Sequence, residues 1–321
     1  MRRRKFITLL GGAAAWPLAA RAQQAGRTYR LGCLLPLPHN ALIAFFDELR
    51  RRGFIEGQNL TVEYREYGLH VGLISQYAAE LVNARVDVIT TGGNAGVRAA
   101  QQATKTIPIL AISDDLLGSG FVDSLARPTG NITGVSIFAT ELDGKRQEVL
   151  IEAVPGLRRM AALADTNTTA DAKLNALQEA ARARDIELSI HRIAKGDEIV
   201  AAIDMAKASG ATALNVLASA LLSANRQLIV DRAAALRLAA MYQWPEIAEE
   251  GGFIAYGPRL IHLYRDLLPR QLVQLLRGTK VADIPAEQPT KFELVINLKT
   301  ANAMGVTVPA ALVARADKVV E

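Results

Sequence analysis

At 321 residues with half its composition apolar, the chain can bury a large core, and that length favours two domains over one. The formal net charge of +5 sits at the start: residues 1–22 hold five of the 37 basic residues and no acid, so the remainder is balanced against its 32 acids. A body without a net positive field lacks the phosphate attraction on which nucleic-acid binding leans, and a lone cysteine, Cys33, excludes an intramolecular disulfide.

In chain order the first predicted segment is "MRRRKFITLLGGAAAWPLAARAQQ". Arg2, Arg3, Arg4 and Lys5 form a basic head, Phe6 to Ala20 run apolar or small, and Ala20-Arg21-Ala22 is a small-x-small site, the three-part design of an export signal. The run is too short, and too broken by Gly11-Gly12 and Pro17, for a spanning helix of ~20 apolar residues. Arg3-Arg4-Lys5-Phe6-Ile7 resembles a twin-arginine signal, with Sec export left open. Cleavage near Ala22 predicts a periplasmic mature chain. Arg30-Leu31-Gly32-Cys33 is no lipobox, because Arg30 stands where an aliphatic residue is needed; Cys33 reads as a small hydrophobe buried in a strand.

Short β-type runs then alternate with helical stretches. "YRLGCLL" precedes Ala41–Arg52, "LTVEYRE" precedes Leu73–Asn83, "VDVITT" precedes Ala95–Thr104, and "IPILAI" leads into a looser segment. The rhythm resumes with "NITGVSIF", "RMAALAD", "IELSIHR", "ATALNVLA", "AAMY" and "GGFIAYG", with amphipathic stretches at Leu174–Arg184 and Leu260–Arg277. Strands interleaved with helices predict parallel sheets wrapped on both faces, a doubly wound α/β protein. Some ten strands suit two sheets better than one, with the division near residues 138–142.

The tools of common enzymes are missing. There is no Walker loop, no Gly-x-Ser-x-Gly elbow, and the histidines (His39, His70, His191, His262) lack metal-ligand spacing. Gly92-Gly93-Asn94-Ala95-Gly96 sits between a strand and a helix without Gly-x-Gly-x-x-Gly spacing. It reads either as a plain turn or as free helix amides facing an anion. No cofactor or metal is expected, and the chain is not read as an enzyme.

Polar and aromatic residues gather instead at the carboxyl ends of strands, where doubly wound folds bind small molecules. The candidates are His39, Asn40, Thr91, Gly93, Asn94, Ser113, Asp114, Thr166, Asn167 and Ser219, with Tyr242, Trp244 and Tyr256 as aromatic walls. Helix N-terminal amides, with the side chain of Thr91, Asn94 or Thr166, are expected to meet a ligand carboxylate. Tyr242 or Tyr256 is expected to flank its apolar body, so that Tyr256→Ala weakens binding.

The leader, "GFIEGQNLTVEYR", "LARPTGNITGV", "GGFIAYG" and the tail "QPTKFELVINLKTANAMGVTVPAALVARADKVVE" resemble the ABC transporter substrate-binding proteins, in the family that includes tryptophan and aromatic amino-acid binders. The resemblance spans essentially the whole chain. It implies a type I periplasmic-binding fold of two Rossmann-like α/β lobes joined by crossover hinge strands, with 27–139 plus 258–278 in lobe 1 and 140–254 plus 282–321 in lobe 2. It also implies a monomer that captures a small organic ligand by closing its lobes and passes it to an inner-membrane permease with a separate ATPase. Presentation of the ligand to a membrane sensor, or a periplasmic enzyme, are the alternatives. "LLPLPHNAL", Ser113-Asp114-Asp115 and "ALADTNTT" depart from the family's loops, and loops set the ligand.

Overall fold

The computed structural model describes residues 27–35, 40–67, 71–137 and 141–321. The leader and His39 lie outside the described residues, as does the side chain of Asn40. The first sheet is built from β1 (Tyr29–Leu35), β2 (Leu60–Glu66), β3 (Val88–Gly92), β4 (Ile109–Ser113) and β5 (Ile132–Ser136), in the order β2-β1-β3-β4-β5 and parallel throughout. Its helices are α1 (Asn40–Arg51), α2 (Ile74–Asn83) and α3 (Asn94–Ala103). Every residue of β3 and β4 is buried, whereas the edge strand β2 mixes buried and exposed positions. Central strands roofed on both faces are therefore buried along their length, with β4 nearly all apolar and β3 burying Thr90 and Thr91 as well.

The second sheet holds β6 (Arg159–Asp165), β7 (Glu187–Ile193), β8 (Ala213–Val216), β9 (Ala239–Tyr242), β10 (Ile254–Gly257), β11 (Glu293–Asn297) and β12 (Lys318–Val320), in the order β12-β11-β10-β9-β8-β6-β7. Around it lie α4 (Asp143–Ala153), α5 (Asp171–Arg182), α6 (Ile199–Ala208), α7 (Ala220–Ala224), α8 (Arg226–Ala235) and α9 (Pro245–Glu249). The expectation of wholly parallel sheets fails here. β11 pairs antiparallel with β10, and β12 follows β11 in parallel, so twelve strands are present among the described residues.

Between β10 and β11 the chain returns to the first sheet as α10 (Leu260–His262), a π-helical turn (Leu263–Leu267) and α11 (Leu268–Leu276). Pro269, at the start of α11, has no N–H for the preceding turn and its ring crowds a carbonyl there. The wider π turn just ahead takes up that misfit. Leu268, Leu272, Leu275 and Leu276 share one face of the helix and pack with Phe45, Leu110 and Val135 of the first sheet's layer. The following segment is tied to β5: Thr133 Oγ1 donates to the Ile284 carbonyl (2.8 Å), and Ser136 and Glu287 are linked through backbone (2.8 Å). The chain thus passes between the sheets three times, after β5, after β10 and before β11. Among the described residues no helix is long and apolar enough to cross a membrane.

Candidate functional site

A cavity of about 380 Å³ opens where the carboxyl ends of the two sheets face each other. From the first sheet come Gly92 and Gly93 at the end of β3, Ile112 and Asp114 at the end of β4, and Ile137 after β5. The second supplies Ser219 and Ala220 beyond β8, and Gln243, Trp244, Glu246 and Ile247 beyond β9. Leu260, Ile261 and Tyr264 of the returning helix close the side, Tyr264 being held there by the π turn. The two halves come very close: Gly93 has φ +79°, and a Cβ added to it would lie 2.7 Å from that of Ala220.

Asp114 is 7% exposed, and its Oδ2 is buried without a hydrogen-bond partner. Burial, then repulsion from Asp143, Asp165 and Glu141, pushes its carboxyl up to about 7 against the pull of Arg146. Beside it Arg146, 1% exposed, donates from Nε to the Tyr256 carbonyl (2.7 Å) and from Nη1 to Asp143 Oδ1 (2.9 Å). The same Asp143 oxygen accepts the Ala218 N–H (3.1 Å). Burial raises the Asp143 carboxyl to about 6, opposed first by Arg146, and lowers the Arg146 guanidinium, opposed by Asp143. Gln243 is 6% exposed; its Nε2 donates to the Ser219 carbonyl (3.3 Å), while its Oε1 has no partner. Trp244 donates from Nε1 to Ser223 Oγ (3.1 Å), which fixes the indole against the cavity.

Of the residues singled out in the sequence, Gly93, Asp114, Ser219 and Trp244 line this cavity. Ser219 also caps α7, its hydroxyl accepting the Leu222 N–H (3.0 Å). The others are placed elsewhere. Thr91 is fully buried in β3 with an unpartnered hydroxyl. Asn94 is bonded to Ser113 (2.8 Å) and Ser119 (3.2 Å), which occupies Ser113 as well. Thr166 and Asn167 are exposed beyond β6 and bond to the Ile193 carbonyl and to Asp165. Tyr242 is 2% exposed and belongs to the core, packed beneath Gly252. Tyr256 sits with Phe292 (centroids 6.4 Å apart) against the second core layer. Neither Tyr242 nor Tyr256 lines this cavity; its aromatic lining is Trp244 and Tyr264. Thr91, Asn94 and Thr166 likewise do not line this cavity.

Sequence reasoning passed over Gln243, Glu246 and Tyr264. The signal for the first two was present, since both flank Trp244 past the end of a buried strand. Tyr264 had none, being brought in by a helix that follows the strands. The chemistry on offer is that of binding. The walls are largely apolar, the first turn of α3 carries no acidic residue and no side-chain cap, and the nearby acceptor atoms Asp114 Oδ2 and Gln243 Oε1 lack partners. Among the described residues no group of three or more His, Cys, Asp or Glu is arranged to hold a metal ion.

A family model described as ABC transporter substrate binding protein matches residues 36–320. The "Tyrosine-binding protein" of Clostridioides difficile (strain R20291) is 22% identical over 271 residues, which is 81% of this chain and 75% of that protein. Among solved structures, a conserved domain protein from Vibrio cholerae superposes with a TM-score of 0.81 at 22% identity, covering 91% of this chain and 100% of the other. An ABC domain in complex with L-Trp from Streptococcus pneumoniae gives 0.80 at 19% identity with the same coverage.

Proposed function

Because the chain belongs to the ABC transporter substrate binding protein family, we propose that it is the extracytoplasmic capture component of an importer for an amino acid or a related small carboxylate. Lobe 1 is residues 27–139 with 258–278, lobe 2 residues 140–254 with 282–321, and the lobes close about the three chain crossings. Residues 1–22 are the export signal, twin-arginine in type and cut near Ala22, and the mature protein is a periplasmic monomer. It hands its cargo to a permease driven by a separate ATPase.

One observation carries the ligand class. On adjacent strands of the first sheet, β3 leads into the uncapped N-terminus of α3, and β4 leads into Asp114, whose Oδ2 has no partner, with Gly93 and Asp114 lining the cavity. First-turn amides have no intrahelical acceptor and sit at the positive end of the helix dipole, so they suit a carboxylate. Asp114 suits the ammonium beside it. Trp244, Ile247 and Tyr264 then receive the apolar body. The binding proteins among the relatives, one named for tyrosine and one solved with L-Trp, support an amino-acid cargo.

With residues 1–22 removed Trp244 is the sole tryptophan, so its emission reports on the cavity. The test is thermal shift and fluorescence against aromatic, branched and basic amino acids, their deaminated acids, nucleobases and sugars. At a hundred times Kd a ligand adds about 2.7 kcal/mol of stability. A saturable response to amino acids that disappears with the deaminated acids is expected. A response confined to sugars or nucleobases would overturn the amino-acid reading.

A further inference from the structure

Glu246 lines the cavity from the opposite sheet, and the reading above gives it no role. Its Oε1 accepts the Ile261 N–H (3.3 Å), while Oε2 is buried with no partner. The nearest cation is not available to it. Arg259 donates from Nε to Glu293 (2.5 Å) and from Nη2 to Glu249 (2.8 Å), and Glu249 is bridged further to Lys318 (2.9 Å). Arg226, also at the cavity, is committed to Glu250 (3.0 Å). The cavity's remaining acids thus stand in ion pairs, whereas Asp114 and Glu246 do not pair with any cation among the described residues.

A partly buried carboxylate without a direct ion pair is costly, and a bound cation relieves that cost. Burial raises the Glu246 carboxyl against the pull of the Ile261 N–H and Arg259, with Glu249 adding repulsion. A second unpartnered acceptor, Gln243 Oε1, lies in the same wall and is itself deeply buried. Ile247, Ile261 and Tyr264 provide an apolar sleeve alongside.

We infer that Glu246 is a specificity-determining residue that pairs with a second basic group at the far end of the cargo. The protein then selects amino acids with an amine-bearing side chain over neutral ones of the same shape. The inference rests on the amino-acid reading of the site.

Calorimetric titration of the full chain at pH 8 with two matched pairs tests it: L-lysine against L-norleucine, and 4-(aminomethyl)-L-phenylalanine against 4-methyl-L-phenylalanine. A charge-assisted hydrogen bond predicts that the amine-bearing member of at least one pair binds about 10- to 100-fold tighter. Glu246→Gln, which keeps an acceptor for the Ile261 N–H, should cut that preference to within about threefold. Its affinity for the neutral partner should not fall, and a thermal transition at the parent's Tm reports an intact fold. Equal binding within both pairs, or a preference that survives Glu246→Gln, overturns the role of Glu246 and leaves the amino-acid reading standing. Failure of every amino acid in the panel overturns that reading, and this inference with it.

Discussion

An amine-bearing cargo at Asp114 would join binding to pH. The Asp114 carboxyl is pushed up to about 7, while in an unfolded chain it titrates near 3.8. Between those values the folded state holds the extra proton, so this group's contribution to stability falls as pH rises through the window and stays lost above it. Asp143, raised to about 6, acts in the same sense over a narrower range. Asp114→Asn should therefore stabilise the ligand-free protein by on the order of 1–3 kcal/mol at pH 8 and little at pH 5, as thermal scans would reveal. An ammonium against the carboxylate reverses the shift, so binding at pH 6 should release a proton. Affinity should then rise with pH up to about 7, at most tenfold per unit. Titrations in buffers of different ionisation enthalpy would count that proton, and no release would remove Asp114 from the amine's contact. Tyr256 carries the opposite expectation: Tyr256→Ala strips packing against Phe292, so Tm should fall while ligand affinity holds. Loss of affinity at unchanged Tm would return Tyr256 to the site. The reason sequence could not sort these residues is geometric. Thr91, Ser113, Tyr242 and Tyr256 lie inside strand ladders, whose side chains point into the helix layers. Gly93, Asp114, Ser219 and Trp244 lie just past the last ladder residue, where the chain turns over the sheet's end and meets the cavity. A strand's final pairing is fixed by its neighbours, so a boundary shift of one residue moves a side chain from site to core.

The elements themselves were far more legible. The run "IPILAI" announces a strand because both faces of β4 are roofed, and burial on two sides leaves a near-continuous apolar signature. β11 escaped that logic. "ELVIN" is buried along its length like a parallel strand, and its reversed direction is set by where the returning helix leaves the chain. Two glycines mark where elements touch too closely for a side chain. Gly134, at φ +140°, would put a Cβ 1.9 Å from the Ala111 carbonyl oxygen, within the β4–β5 pairing. Gly93 would press on Ala220 across the cavity. Gly93→Ala should weaken cargo binding at least tenfold, since φ +79° is strained for alanine and the added methyl props the two halves apart. Small-angle scattering of the ligand-saturated protein should then give a larger radius of gyration than the parent chain. Equal radii would place the effect in the turn alone.

On the scale of the whole molecule, neither sheet together with its covering helices comes from one stretch of chain. The apolar face of α11 covers the first sheet, yet it is encoded more than a hundred residues after β5. Gln271 reaches the Gly134 carbonyl (3.3 Å) and the Pro285 carbonyl (3.0 Å) from that helix. Leu272→Ala, at a fully buried position in this seam, should cost about 2–5 kcal/mol and show as a single cooperative loss of both lobes in thermal scans. Two separate transitions would indicate lobes that melt independently. The same seam governs how such a gene can be cut or recombined. A fragment stopping after β5 would leave Phe45, Leu110 and Val135 without their cover and be fit only for aggregation or proteolysis. A backbone nicked between the sheets, by contrast, would stay together as one particle, each piece holding what the other needs. Exchange of specificities between relatives should therefore succeed by swapping strand-end loops and fail by swapping halves.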